Sequence, residues 1–156
     1  MLYALLIVAL VFVDVLIKRL VIVLLQPVGS VPLIEGVLHL TYRENTGAAF
    51  SILRENTALI TVVTLIALCI VLYLIFFGKN RSRLFLISLS MICAGGIGNL
   101  FDRVTRGFVV DYIDFRLINF AVFNFADVMI TCGAVLLCIA VLFIQDKREK
   151  SGELGK

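Results

Sequence analysis

Two aspartates, Asp111 and Asp127, are the residues of this chain best placed to do chemistry. Asp111 lies between the third and fourth long apolar blocks, and Asp127 opens the fourth, three residues after Asn124. If those blocks are adjacent helices, both carboxyl groups lie near one membrane face. Two carboxyl groups in a partly dry site share a proton, so one activates water and the other protonates a carbonyl oxygen. The pair predicts peptide-bond hydrolysis, although Asp127 taken alone is better explained as a helix cap.

A second acidic residue and a lysine stand deep in the first apolar block. Asp14 and Lys18 are four residues apart, so they share a helix face, with the acid on the favourable N-terminal side. A charge at such depth costs at least about 2.5–3.5 kcal/mol, which makes both residues candidates for function. Two interpretations stay open, namely a self-neutralising ion pair that orients the helix and the polar wall of a cavity.

The end of the third block is unusually rich in glycine and polar residues. Gly95, Asn99 and either Asp102 or Arg103 stack on one helical face. Glycines on that face let another helix or a substrate backbone come close. Packing alone, with an Asp–Arg anchor at the interface, explains the glycines better than it explains Asn99, whose amide needs partners at that depth. We therefore include this face in the candidate site.

These residues are set in a strongly apolar chain. Of 156 residues, 62% are hydrophobic and 16% are charged, whereas soluble domains are nearer half and a quarter. The apolar residues form four blocks, each about as long as the roughly 20 residues that span a bilayer. The first lacks a basic start and a small-residue cleavage site, so we expect a retained helix rather than a signal peptide. We predict an all-α integral membrane protein of one domain, 1–156, with transmembrane helices at about 2–25, 58–77, 84–104 and 124–144.

The basic residues of the connections predict the orientation. The link 78–83 carries three basic residues and no acid, and the tail 145–156 carries four lysines and arginines. By the positive-inside rule both termini are cytoplasmic and the other two connections face outward. The first of these, 26–57, is too long for a turn. It contains a predicted strand at 37–43 and an apolar segment at 47–53, so we expect a small extracytoplasmic β/loop platform between helices 1 and 2.

Other chemistries find little support in the residues. His39 is the only histidine, no HExxH motif is present, and a Ser–His triad would need this one residue, which we interpret as structural. No Lys/Arg run is interleaved with aromatic residues, so we expect no nucleic-acid partner. The cysteines have no metal-ligand or CxxC spacing, so we interpret them as small core- or lipid-facing side chains rather than a metal or redox site. They are Cys69, Cys93, Cys132 and Cys138.

Five motifs, in order, resemble those of the lipoprotein signal peptidases, also called signal peptidase II. Each motif alone is weak, but five in the same order from Asp14 to Asp127 are specific. Two departures are Tyr112, where phenylalanine is usual, and Val128-Met129, where small polar residues are common. The motifs are Asp14-x-x-x-Lys18, Asn45-Thr46-Gly47-Ala48-Ala49-Phe50, Gly95-Gly96-Ile97-Gly98-Asn99-Leu100-Phe101-Asp102-Arg103, Val109-Val110-Asp111-Tyr112 and Phe123-Asn124-Phe125-Ala126-Asp127.

The resemblance implies a bacterial aspartic endopeptidase of the cytoplasmic membrane that uses no metal or organic cofactor. It implies that the substrate is a diacylglyceryl-modified prolipoprotein, cut before its lipidated cysteine on the extracytoplasmic side, among membrane lipids, and that globomycin-type cyclic peptides are inhibitors. Asp111 and Asp127 would be the dyad, and Asp114 lies one step past the motif. The supporting residues would be Asp14, Lys18, Asn45, Gly47, Asn99, Asp102, Arg103 and Asn124.

Two functions of other classes remain as alternatives. A small ion-coupled transporter would use Asp14, Lys18, Asp102 and Arg103, but it predicts ionisable groups through the whole bilayer depth, and the second block has none. A non-enzymatic membrane scaffold, docking a partner on its outer platform, predicts that both aspartates tolerate asparagine.

Overall fold

The computed structural model describes residues 1–47, 57–80 and 82–153, with Thr57 and residues 144–153 described by their backbone alone. Each predicted apolar block forms a helix. The helices are α1, Leu2–Leu24; α2, Thr57–Phe77; α3, Arg83–Arg106; and α4, Phe125–Glu153. The last of them continues well past the predicted end of its apolar block at 144, because its polar continuation also forms helix.

Three of these helices are long and apolar enough to cross a membrane, within Ala58–Phe77, Arg83–Arg106 and Phe125–Phe143. The first helix, α1, is also apolar but carries Asp14, Lys18 and Arg19. The outward faces of the helices are apolar, as Val63, Ile66 and Phe77 of α2 show. A soluble protein would place polar residues there, so these faces are suited to lipid.

The third helix is the centre of the bundle. α3 packs against α1, α2 and α4, and most of its buried residues lie between Leu86 and Asp102. Its glycines allow this: a Cβ on Gly95 would meet the backbone carbonyl oxygen of Ala126 in α4, and a Cβ on Gly98 would meet the carboxylate of Asp14 in α1. The glycine-rich face therefore packs against two helices at once.

A three-stranded antiparallel sheet caps one end of the bundle. Its strands, in the order β1-β2-β3, are β1, Ser30–Ile34; β2, Leu38–Asn45; and β3, Val109–Phe115. β2 confirms the strand predicted at 37–43. The predicted platform was confined to the α1–α2 connection, and this was wrong, because β3 belongs to the connection between α3 and α4 and completes the sheet. Apart from Gly47, the predicted apolar segment 47–53 lies outside the described residues.

An apolar cluster fixes the sheet to the helices. Val21 and Leu25 at the end of α1 pack against Val110 and Tyr112 of β3. Val110 is fully buried, and burying such side chains contributes about 1.5–3 kcal/mol each. Because Asp111 lies between Val110 and Tyr112, this packing also sets the position of its carboxylate.

Candidate active site

The start of α4 is a capping box made by Asn124 and Asp127. The backbone N–H of Asp127 donates to Asn124 Oδ1 at 3.0 Å, and the backbone N–H of Asn124 donates to Asp127 Oδ2 at 3.2 Å. This reciprocal pair satisfies two backbone donors at the helix start. The cap predicted for Asp127 alone is therefore present, but it is shared with Asn124 and leaves Asp127 available for further contacts.

Two other elements bind the same helix terminus. The N–H of Phe125 donates to the Tyr112 hydroxyl at 3.1 Å, and the N–H of Ala126 donates to Asp14 Oδ1 at 3.1 Å. The first backbone N–H groups of a helix have no acceptor within the helix, and here β3 and α1 supply the acceptors. The start of α4 is therefore anchored to both elements.

Replacing Tyr112 with phenylalanine is expected to lower the free energy of unfolding by about 1 kcal/mol, because it leaves the Phe125 N–H without its acceptor. Burial raises the pKa of Tyr112 to about 12, so the hydroxyl stays protonated at working pH. Cleavage rates should stay within about twofold of the original, since the hydroxyl acts on the helix start and not on the carboxyl pair.

Thermal unfolding and steady-state cleavage of Tyr112→Phe in detergent test this. Tyr42→Phe is the matched control, since the Tyr42 hydroxyl donates to Glu44 in an exposed bond at 3.0 Å, and it should change neither quantity measurably. A tenfold loss of rate in Tyr112→Phe alone would contradict the assignment.

Asp111 is buried on β3 between two amides. Asn45 Nδ2 donates to its Oδ2 at 2.8 Å, and Asn124 Nδ2 donates to its Oδ1 at 2.6 Å. The side chain is 1% exposed. Burial raises the pKa of Asp111 to about 6, because desolvation and the nearby charge of Asp127 outweigh these two amide bonds, which favour the ionised form.

Asp127 is bound by the third of the predicted asparagines. Asn99 Nδ2 donates to Asp127 Oδ1 at 2.7 Å, and Asn124 Nδ2 lies 3.2 Å from Asn99 Oδ1. Asn124 thus contacts Asp111 with its amide nitrogen and Asp127 through its cap. The three asparagines hold both carboxylates in one hydrogen-bonded set.

A buried charge cluster lies behind this set. Lys18 Nζ is 2.9 Å from Asp14 Oδ2 and 3.2 Å from Asp102 Oδ2, and it donates to Asn99 Oδ1 at 3.0 Å. Asp102 also pairs with Arg106 and accepts the backbone N–H of Val110 at 3.1 Å. Of the two interpretations of Asp14 and Lys18, the structure has the ion pair, and both side chains are 1% exposed.

A cavity of about 730 Å³ adjoins Asp127. It is lined by the first part of α2, with Leu59, Val63 and Thr64, by residues 120–123, and by the first part of α4. Such a volume is typical of ligand sites. Its lining is mainly apolar, and its polar residues include Asn45, Thr64, Arg103, Asp127 and Thr131. Of the predicted site residues, Asn45, Gly47, Arg103 and Asp127 line the cavity.

The remaining predicted residues lie behind the cavity lining. Asp111, Asn99 and Asn124 bind one another or Asp127, and Asp14, Lys18 and Asp102 form the buried charge cluster. Arg103 lies within electrostatic reach of Asp111 and Asp127. Sequence reasoning missed Arg106 as a partner of Asp102, although their four-residue separation on one helix was a usable signal.

Asp114, the alternative to Asp111, is held elsewhere. Its Oδ2 accepts hydrogen bonds from Thr41 Oγ1 at 2.7 Å and Arg116 Nε at 2.8 Å. The small burial of this carboxyl raises its pKa slightly, but the bonds from Arg116 and Thr41 outweigh that effect and hold the pKa below its usual range. His39 is buried on β2 in register with Asp114. Of the cysteines, Cys93 is buried and the other three are exposed.

Comparison with known protein families gives one clear match. The family model described as signal peptidase (SPase) II matches residues 6–143. The lipoprotein signal peptidase of Clostridioides difficile is 45% identical over 148 residues, which cover 94% of this chain and 99% of that protein. The lipoprotein signal peptidase of Caldanaerobacter subterraneus is 43% identical over 133 residues, which cover 85% and 90% respectively.

Solved structures share the fold. One bacterial membrane enzyme superposes with a TM-score of 0.80 at 31% identity, covering 93% of this chain and 90% of that chain. A second has a TM-score of 0.80 at 32% identity and covers 90% and 92%. The likeness therefore extends over the helices and the sheet together.

Proposed function

The chain belongs to the signal peptidase II family, and from this premise we propose that Asp111 and Asp127 cut the signal peptide from diacylglyceryl-modified prolipoproteins. Removal of signal peptides from prolipoproteins is the activity that its lipoprotein signal peptidase relatives are named for. The observation that carries the assignment of residues is Asn124, whose side chain binds Asp111 at 2.6 Å and caps the helix turn that bears Asp127.

The two carboxyl groups differ in the way that an acid–base pair requires. Asp111 is buried, and burial raises its pKa to about 6, so it keeps a proton to a higher pH than an ordinary carboxyl group does. Asp127 lines the cavity and is the member that meets water and substrate. Environments that separate two carboxyl groups in this manner are how one fold supplies both an acid and a base.

The reaction follows from this division. Asp127 takes a proton from water as the water oxygen attacks the scissile carbonyl carbon. Asn45 lines the cavity and covers Asp111 Oδ2, so the substrate carbonyl displaces the Asn45 amide before Asp111 gives its proton to the carbonyl oxygen. The tetrahedral intermediate then breaks its C–N bond, and the amine leaves with the proton that Asp127 had taken. One hydroxyl group of the intermediate returns a proton to Asp111 as the new carboxylic acid forms, so the pair regains its starting state. The net reaction adds a hydroxyl group from water to the acyl carbon and a proton to the amine. Two carboxyl groups need no metal or organic cofactor for this step.

The cavity supports a lipidated peptide as substrate. Its apolar walls on α2 and α4 suit acyl chains and the side chains of a signal helix, while Asn45 and Arg103 offer polar contacts beside Asp127. A helix must unwind to expose its peptide bond, and the freed backbone groups then need such partners within the membrane. We infer that the diacylglyceryl chains lie between α2 and α4. By the same argument, cyclic peptides of the globomycin type occupy this cavity.

All four helices span the membrane in this proposal. α1 is 23 residues long, about 35 Å at 1.5 Å per residue, which exceeds the roughly 30 Å hydrocarbon core. Two of its three charged residues, Asp14 and Lys18, are buried in protein, and Arg19 lies five residues from the helix end, within reach of the interface. The charges therefore do not oppose insertion.

The site belongs to the extracytoplasmic face of the bacterial cytoplasmic membrane. The basic link 78–83 and the basic tail favour cytoplasmic termini, and the site lies at the opposite ends of α3 and α4. The sheet then forms a platform on the outer leaflet. No basic surface run suited to nucleic acid is present in the sequence.

The proposal is tested with purified protein in detergent and a synthetic prolipoprotein peptide whose cysteine carries a diacylglyceryl group. We expect mass spectrometry to find cleavage just before the lipidated cysteine. The same peptide without the lipid should show a kcat/KM at least about 100-fold lower, because acyl-chain binding contributes to transition-state stabilisation. Cleavage elsewhere in the peptide, equal cleavage of both peptides, or no cleavage of the lipidated one would overturn the proposed function.

A further inference from the structure

The ammonium group of Lys18 meets three oxygens that belong to three different supports of the candidate site. Asp14 Oδ2, Asp102 Oδ2 and Asn99 Oδ1 lie 2.9, 3.2 and 3.0 Å from Nζ. A lysine ammonium has three N–H donors and no acceptor. The number of oxygens around Lys18 therefore equals the number of its protons, in a side chain that is 1% exposed.

Each of those partners binds either one of the two aspartates or the residue that precedes one of them. Asn99 donates to Asp127 Oδ1 at 2.7 Å. Asp102 accepts the N–H of Val110, the residue before Asp111, at 3.1 Å. Asp14 accepts the N–H of Ala126, the residue before Asp127, at 3.1 Å.

We propose that Lys18 is the positioning residue that sets the two aspartates relative to each other, since its one ammonium group donates a hydrogen bond to Asn99, the support of Asp127, and forms an ion pair with Asp102, the support of the residue before Asp111. This inference rests on the proposed function. Lys18 lies outside the cavity lining, so it is not assigned contact with the substrate or with the reacting atoms.

The bond to Asn99 has a further consequence for the amide orientation. Because Lys18 has only donors, the Asn99 atom facing it must be the oxygen, and the NH₂ group must then face Asp127. Without the ammonium, only the 3.2 Å bond from Asn124 Nδ2 still favours this orientation, and a flipped Asn99 amide would present its oxygen to the Asp127 carboxylate, which repels it. Lys18, together with Asn124, thus favours the amide orientation that binds Asp127.

The test variant is Lys18→Met, with Lys18→Met/Asp14→Asn as its partner. The single variant leaves the buried carboxylates of Asp14 and Asp102 with one cation, Arg106, and this imbalance can prevent folding. The double variant restores the charge balance, and the amide introduced by Asp14→Asn still offers an oxygen to the Ala126 N–H. The matched control is Arg19→Met, which removes an exposed cation from the next position of the same helix.

In the double variant we expect kcat to fall about 10- to 100-fold with KM changed less than about threefold, because small misplacement of catalytic groups acts on the chemical step. The alkaline limb of the kcat/KM profile should also move to higher pH. Lys18 is one of the charges that lower the pKa of Asp111, and its loss lets Asp111 keep its proton longer. Among the described residues, the other charged groups facing this region are Arg103 and Asp102 of α3, Asp127 of α4 and Arg43, the register partner of Asp111 on β2.

A purely structural role would lower the folded fraction and leave kcat per folded molecule and the pH profile unchanged, and that result would overturn the inference. The inference would also be overturned if Arg19→Met changed kcat and the pH profile as much as the double variant does. The pH shift is also measured without turnover, by following the infrared carboxyl band that disappears in Asp111→Asn. If the wild-type protein proved inactive but this band titrated at higher pH in the double variant than in the wild type, the proposed function would fail while the positioning role held. If the band titrated at the same pH in both proteins, the positioning role would be overturned.

Discussion

Asp111→Asn and Asp127→Asn are each expected to lower kcat by at least about 10³-fold, because each removes one of the two groups that move protons during cleavage. Asparagine keeps the shape of the side chain, so both variants should remain folded. Asp111→Asn loses the proton donor. It also loses one of its two amide bonds, because an NH₂ group, which cannot accept, replaces one of the two oxygens that accept from Asn45 and Asn124. Single-turnover cleavage of the lipidated peptide gives the rate without interference from product release.

Asp114→Asn is the control for these variants. Asp114 lies three residues from Asp111 on the same strand, but its bonds go to Thr41 and Arg116, so its rate should stay within about threefold of the original. The dyad assignment would be contradicted if either Asp111→Asn or Asp127→Asn kept a tenth of the original rate in a folded protein, or if Asp114→Asn were as slow as they are.

Asn124→Ala is expected to have the next largest effect, a fall in kcat of about 100-fold together with a loss of about 1 kcal/mol of stability. The side chain is completely buried. Its removal takes the amide from Asp111 at 2.6 Å and the cap from the Asp127 N–H at 3.0 Å. Both carboxyl groups then lose a shared support. Cleavage kinetics and thermal unfolding of the same preparation measure the two effects.

Two further variants separate the cap from the site. Asn124→Ser keeps a good N-cap but is too short to serve Asp111, so stability should recover while kcat stays low. Asn80→Ala removes a comparable bond to the N–H of Ser82, 3.0 Å long, at the opposite end of α3, and should leave kcat unchanged. If kcat recovered with stability in Asn124→Ser, Asn124 would be a helix cap and nothing more.

The helices and the Asp14–Lys18 ion pair were predictable because their signals are local. A long apolar run predicts a membrane helix by its composition, and Asp14 and Lys18 meet because four residues complete about one helical turn. The α4 boundary was not predictable in the same way. Hydropathy locates where a helix leaves the lipid, whereas residues such as Lys147 and Arg148 continue a helix readily in water.

The sheet and the charge cluster depend on contacts distant in sequence. β3 contains the alternating run Val109–Phe115, but whether it forms a strand is decided by pairing with β2, about 70 residues earlier. The bond of Lys18 to Asn99 joins residues separated by 81 positions. Tyr112 stands where phenylalanine is usual in the family, and its hydroxyl accepts the first N–H of α4, a contact between residues 13 positions apart that no local pattern indicates.

The pH dependence of kcat/KM tests most directly the central claim that Asp111 and Asp127 share one proton. Only the singly protonated pair can act as base and acid together, so activity is lost at low pH, where both are protonated, and again when the second proton leaves. Because the pKa of the buried Asp111 is raised to about 6, the loss of activity that follows release of the second proton falls within the measurable pH range. We predict a bell-shaped profile with its alkaline midpoint at about 6 in the free enzyme. A profile that rises once and stays flat to about pH 9 would indicate a single ionised base and contradict the shared proton.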